Sequence, residues 1–407
     1  MADFSDLLIK APNALEEYVT LPKYGDTISV YEGLFSLQDE DMIVNLNGRI
    51  YYSFAEKVEL LFDGEAETSP LDWLAKSVEV VVGESYSGTA LIEFISGKIV
   101  RGCVARFNTK ISVSCDHWRW CYLNGPKIFG DIVRRDRKLS RDRLVFQDGG
   151  YEIILENADC YEHQKKHREI SQICELRHID GLPVTEENAL REIRLFSRFF
   201  SFFSGCMHAP FFMEGLTGNC VQYVFHVIAP DSSLTSVSSW KPDNKDRDLL
   251  PLWKSFRLKN NESLDQQDVL NTVIHWYLQA NMNSGLLEGA IILGFTGIEL
   301  LSSVIVGKEL GSNEKIVEDF ISRMKLALDI KPSEIALTRN YLMHYKNECR
   351  RKAYNSITFE EKVSRLEIVL QLLELAILYW LGYEGHYSNR MHQTWRGENV
   401  CLVPWKA

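Results

Sequence analysis

Residues 359–381, FEEKVSRLEIVLQLLELAILYWL, decide how the C-terminal half is read. Val363, Leu366, Val369, Leu370, Leu373, Ala376, Ile377 and Trp380 recur at three- and four-residue intervals, which predicts one helix with a core-facing stripe. Thr358 followed by Glu361 makes a capping box that starts this helix at 359. Working back, Pro332 and Ser333 open a helix over 333–354, Gly307 and Gly311 flank a loop before 313–328, the Gly285 break starts 286–306, and Asp265 caps 266–284. Five such helices over 264–384 predict a compact all-α bundle. The remaining residues, 385–407, read as an irregular tail folding back on the surface.

The N-terminal 160 residues read differently. Runs such as TISVYEGLF, MIVNLNGRIYYSF, SVEVVVG and IVRGCVARF are short, β-branched or aromatic, and separated by Gly, Asn, Asp and Ser. Asp148-Gly149-Gly150 between two of them is a hairpin signal. Strands this short and evenly spaced predict a sandwich or curved barrel. Residues 161–263 read as a connecting module with a helix opened by Thr185-Glu186-Glu187, then strands, then a turn-rich linker at 230–263. The fold class expected is α+β, a β-rich N-terminal domain followed by a helical bundle.

Composition narrows the function classes. The net charge of −11 at pH 7 argues against a protein that coats nucleic acid non-specifically, so any nucleic-acid site must be local and basic. Nine cysteines without a C-x-x-C pair read as reduced thiols, and the start MADFSDLLIK lacks the features of a secretory signal, which predicts a cytoplasmic protein. The apolar stretch 286–307 reaches spanning length, but Glu288 and Glu299 within it favour a buried helix over a membrane span. No Gly-rich phosphate loop and no G-x-S-x-G elbow occurs, which disfavours those enzyme classes.

The residues that suit chemistry lie in ALTRNYLMHYKNECRRK, 336–352. Metal-independent RNA cleavage needs a group to take the 2′-hydroxyl proton, an acid for the leaving oxygen, and positive charge on the phosphate. His344 can fill either proton-transfer role near neutral pH, Arg339 can grip phosphoryl oxygens, and Asn340 offers an orienting amide. On a helix, Asn340 and His344 share a face, while Arg339 and His344 lie roughly 140° apart. Six basic residues, Lys331, Arg339, Lys346, Arg350, Arg351 and Lys352, stand against Glu334 and Glu348, giving the local basic patch that the acidic chain requires. One helix supplies one histidine, so filling both acid and base roles predicts a homodimer. The bland reading of the same residues is a surface helix with an incidental histidine.

The apolar second helix with its Ile298-Glu299-Leu300-Leu301 step, and R-N-Y-L-M-H at 339–344, resemble the HEPN family, a helical bundle found in prokaryotic toxins, CRISPR effectors and abortive-infection proteins. The β-rich front is similar to the ApeA-like abortive-infection group. The resemblance implies a dimeric endoribonuclease needing no metal or cofactor, with Arg339 on the phosphate, His344 as acid/base, Asn340 positioning, and Glu299 orienting the motif from the neighbouring helix. It also implies a phage-derived trigger or a restraining antitoxin. A second class stays open: a non-catalytic dimerisation module with a ligand-binding β-domain.

Two weaker signals remain. Cys160, His163 and His167, with Cys174 beyond, have a spacing zinc could use, and Cys115, His117 and Cys121 lie on one aromatic strand; both sets read better as structural than as metal sites. The run 127–146, with Lys127, Arg134, Arg135, Arg137, Lys138, Arg141 and Arg143, reads as a solvated loop or an RNA-guiding surface.

Overall fold

The structure is a computed structural model that describes residues 11–16, 19, 25–40, 42–55, 58–68, 70–110, 112–136, 138–159, 170–227, 238–282, 286–307, 311–326, 331–343, 348–391 and 399–406, with backbone only at 71, 350 and 351. It divides into two compact units, Met1–Ser197 with His208–Thr235, and Arg198–Met207 with Ser236–Ala407. The expected connecting module at 161–263 is therefore shared between them. Its strands belong to the first unit and its last helix to the second.

In the first unit, alternation of β-branched and polar residues closes a barrel. Strands β1 (Thr27–Gln38), β2 (Ile43–Phe54), β3 (Val58–Ala66), β4 (Ser77–Val82), β5 (Tyr86–Ser96) and β6 (Ile99–Thr109) run in the order β3-β2-β1-β4-β5-β6, and β3 pairs back onto β6. All neighbours are antiparallel, with Leu61 opposite Cys103 at the closing seam. Closure leaves no free edge on these six strands. In β4, Val78, Val80 and Val82 point inward while Ser77 and Glu79 face out. The interior is filled by fully buried side chains including Leu37, Leu46, Ile50, Tyr52, Leu60, Phe62 and Ile92. Each contributes about 1.5–3 kcal/mol by leaving water. Gly48 lies where β2 crosses β3 so closely that a Cβ would sit 2.0 Å from the Asp63 carbonyl oxygen, so no larger residue fits.

From β6 the sheet continues through β15 (Cys220–Val227), β14 (Phe211–Thr217), β8 (His117–Leu123), β12 (Ile170–His178), β11 (Tyr151–Asn157), β10 (Lys138–Asp148) and β9 (Asp131–Arg135), while the short β7 (Ser114–Cys115) and β13 (Val184–Thr185) pair with each other. Helix α1 (Glu186–Ser204) starts in this unit, where Phe196 meets Trp120 and Phe146 edge-on and Ser197 bonds the Tyr122 hydroxyl at 2.7 Å. The expected hairpin at 148–151 is present: Asp148 faces Tyr151 across Gly149 and Gly150, both at positive φ.

From Asp131 on, the basic run at 127–146 is the β9–β10 hairpin rather than a loop, and Arg135 and Arg143 are tied inward. Arg143 and Arg135 flank the fully buried carboxylate of Glu156, Arg135 also faces Asp142, and Arg134 holds Asn13 of the N-terminal segment. The Leu15 amide donates to Glu156 at 2.8 Å. Lys138 and Arg141 are exposed, and Arg137 lies outside the described residues.

The second unit is helical, with a terminal hairpin. Its helices are α2 (Leu249–Glu262), α3 (Leu264–Asn281), α4 (Leu286–Val306), α5 (Asn313–Met324), α6 (Pro332–Met343), α7 (Glu348–Asn355) and α8 (Phe359–Trp380), followed by β16 (His386–Ser388) and β17 (Val400–Leu402). The bundle thus begins before 264. The cap of α3 is Ser263, whose hydroxyl accepts from Gln266 N, and not Asp265. The capping box at Thr358 and Glu361 has both of its hydrogen bonds. Residues 333–354 are described as two helices, with 344–347 outside the described residues.

Helix α4 has the length and apolar composition of a membrane span, yet its Ile291, Phe295, Ile298 and Leu301 are buried, and it packs on α8, with Gly294 beside Val369. The tail does not lie loosely on the surface. Tyr387 and Val403 are buried, and Arg390 enters the interior to bond Glu374, Glu367, Asn281 and the Ser238 carbonyl. Although burial alone would lower the Arg390 pKa, the Glu374 carboxylate beside it raises it above its ordinary value.

Candidate functional site

Helix α6 turns three successive side chains onto three different neighbours, as a 100° step per residue requires. Thr338 is fully buried and accepts from Arg365 of α8 at 2.7 Å. Arg339 reaches Glu299 on α4, Nη2 to Oε1 at 3.0 Å and to Oε2 at 3.4 Å. Asn340 accepts through Oδ1 from the Nδ2 of Asn313, the first residue of α5, at 3.0 Å. The sequence-predicted pair Arg339 and Glu299 is therefore in contact, although 40 residues separate them.

Both side chains of that pair remain partly open, 20% exposed for Arg339 and 28% for Glu299. This is an ion pair at the surface of the bundle rather than within it. Among the described residues Arg339 has one carboxylate partner, where the buried Arg390 has two. A guanidinium held by a single partly solvated carboxylate keeps donors directed outward, because the fork carries five N–H groups. The arrangement can accept a phosphoryl oxygen on the solvent side without stripping the arginine of all its charge compensation.

The remaining sequence-predicted residues are distributed as follows. His344 and Lys346 lie outside the described residues. Arg350 and Arg351 fall on α7, and Lys352 on the same helix pairs with Glu348 one turn before it at 2.8 Å, both ends largely exposed. Tyr354, also on α7, is buried and donates to Glu288 of α4 at 2.6 Å, and this bond holds the Glu288 carboxyl below its usual pKa. Lys362 of α8 lies over the Tyr354 ring at 3.9 Å. Helix α7 is thereby fastened to α4 and α8 through one aromatic side chain.

Two residues of this neighbourhood escaped the sequence reading. Asn313 and Arg365 each contact α6 across 27 residues of chain. Neither carries a motif, and only the packing of α5 and α8 on α6 brings them there.

The weaker candidates lie only in part on described residues. Cys160, His163 and His167 lie outside the described residues, and Cys174 is fully buried. Cys115 is buried, which pushes its thiol up to about 11, and Cys121 packs in the barrel-side core. A cleft of 110 Å³ in the first unit is lined by His117, Arg119, Glu175, Leu216 and Asn219 among others. Its arginine is already gripped by Glu214 at 2.6 Å and 2.8 Å.

Against known proteins, residues 111–226 match the family model of the YopA central domain. The YopA C-terminal domain model matches residues 263–331 and 315–401, the helical stretch that carries Glu299, Arg339 and Asn340. Over 97% of its length the chain is similar, at 23% identity, to the SPbeta prophage-derived uncharacterized protein YopA of Bacillus subtilis (strain 168), of which the alignment covers 98%. No solved structure matches.

Proposed function

We propose that this chain is a metal-independent endoribonuclease of the HEPN type, acting as a homodimer in conflict between a bacterium and a phage. In this reading Arg339 supports charge on the phosphate in the transition state, His344 transfers the proton, and Asn340 orients the phosphodiester. Lys346, Arg350, Arg351 and Lys352 hold flanking phosphates. The nucleophile is the adjacent 2′-hydroxyl, so the cut leaves a 2′,3′-cyclic phosphate.

The observation that carries the reading is the contact between Arg339 and Glu299 at a partly open face of the bundle, with Asn340, the next residue of α6, held by Asn313. The prophage origin named for the Bacillus subtilis relative is in keeping with a phage-linked role. Dimerisation has a candidate surface in α4, whose Ile292, Leu293, Thr296 and Leu300 are only half-buried along the side that also bears Glu299. A phage-derived trigger or an antitoxin would act on this assembly.

One observation favours the non-catalytic alternative, a dimerisation module with a ligand-binding β-domain: Glu299 already occupies part of the Arg339 fork. Incubation of the purified chain with total RNA separates the two. Wild type should release fragments ending in a 2′,3′-cyclic phosphate in the presence of EDTA, while His344→Ala and Arg339→Ala should lose at least about 100-fold in rate with the fold and dimer intact. Full activity in either variant, or cleavage abolished by EDTA, removes this mechanism.

A further inference from the structure

We infer that Asn313, on the first turn of α5, is a positioning residue for the phosphodiester site that fixes which end of the Asn340 amide faces the RNA. The inference rests on the ribonuclease reading above and adds a residue from outside the motif. Asn313 Nδ2 donates to Asn340 Oδ1 at 3.0 Å. A side-chain amide is a rigid plane with an acceptor at one end and two donors at the other. Engaging the oxygen therefore commits the opposite end.

The Asn340 Nδ2 bonds no described residue, so its two N–H groups are the part left for a ligand. A phosphodiester oxygen accepts hydrogen bonds and cannot donate them. An amide turned the other way would aim a carbonyl oxygen at an anion, which is repulsive. Asn340 follows Arg339 by one helical step of about 100°, so a correctly turned amide adds an uncharged donor on the adjoining side of α6. The base on which Asn313 stands is itself fixed: Ser312 caps α5 by accepting from Lys315 N, and Val317, Phe320 and Met324 are buried.

Asn313→Asp is the decisive substitution, because a carboxylate only accepts. It would draw the Asn340 NH2 toward itself and set a negative charge near the phosphate. Asn313→Ala merely frees the amide to rotate. Measured at saturating RNA, kcat should fall about 100-fold in Asn313→Asp and about 10-fold in Asn313→Ala, with KM moving less than about threefold. A purely structural role would lower the melting temperature and leave these constants in place. Titration with an uncleavable 2′-deoxy oligonucleotide should shift the Asn340 side-chain amide resonance in wild type and not in Asn313→Asp. If wild type cleaves RNA and both variants match it, or if the resonance shifts equally in both, the positioning role is wrong. If Asn313→Asp does not fold, Asn313→Ala alone decides between these outcomes. If wild type cleaves no RNA, the ribonuclease reading fails first and this role falls with it.

Discussion

Each unit closes an arginine onto a buried carboxylate, Arg143 onto Glu156 and Arg390 onto Glu374, and leaves others half-open at its surface. In the β unit Arg143, from the run read as a solvated loop or an RNA-guiding surface, fastens a neighbouring strand through the fully buried Glu156, whereas Arg49 meets Asp63 with its side chain 44% exposed. The helical unit holds both kinds. Arg390, with a side chain 3% exposed, is surrounded by two carboxylates, a side-chain amide oxygen and a backbone carbonyl, whereas Arg339, 20% exposed, has one carboxylate among the described residues. Burial and number of partners should therefore separate the charges on which a fold depends from those it can lose.

The sharpest way to break that distinction is to remove Arg390. Arg390→Met leaves the Glu374 carboxylate, 1% exposed, without its cation. Breaking a buried pair from one side costs about 3–5 kcal/mol, because the abandoned charge stays desolvated. Chemical denaturation followed by the helical signal should show this loss, and Arg390→Met with Glu374→Leu should recover most of it. A single mutant as stable as wild type would mean that partner number says nothing about dependence.

How much of this was readable in the sequence follows the range of the forces involved. The capping box at Thr358 and Glu361 and the Gly149-Gly150 turn are local, three-residue chemistry, and both were legible. The strands of the barrel were legible from their β-branched and aromatic runs between turn residues. Its closure stayed open between sandwich and curved barrel, since the pairing of Leu61 with Cys103 depends on register between strands with two others between them in the chain. The arginines of 131–143 misled because a basic run looks the same whether solvated or paired, and the partner, Glu156, lies in the next strand. The tail misled for a similar reason: nothing local announces that Arg390 meets Glu374. The meeting of Arg339 with Glu299 was foreshadowed by the resemblance, whereas the contact of Asn313 with Asn340 was not, because it exists only once α5 packs on α6.

A second, smaller effect probes the β unit. His208 and His226 are buried, His226 between the rings of Tyr52, Phe107 and Phe212, and burial lowers each imidazole from 6.5 to about 4. The unfolded chain takes up these protons below pH 6.5 while the folded chain does not. Their stabilisation is therefore complete above pH 6.5 and is lost as pH falls through about 4, by about 3 kcal/mol for each histidine. His226→Phe keeps the aromatic packing and removes one proton site, so the decline in urea midpoint between pH 7 and pH 4.5 should shrink by nearly half. A wild-type midpoint that is flat over this range would show that the β unit tolerates buried charge as the helical surface does.

The smallest expected effect tests the other end of the comparison. Arg339 and Glu299 form a single, partly solvated pair, and such pairs contribute less than about 1 kcal/mol because water compensates each partner when the other is removed. Arg339→Ala and Glu299→Gln should each leave the denaturation midpoint of the helical unit nearly where it was, several-fold less affected than in Arg390→Met. A charge the fold can lose at so little cost is free to be spent on a transition state, which is why near-neutral stability combined with lost RNA cleavage would tie Arg339 to catalysis. Should Arg339→Ala instead destabilise the unit as strongly as Arg390→Met, the guanidinium is a strut between α4 and α6, and the scaffold reading of the bundle gains over the ribonuclease one.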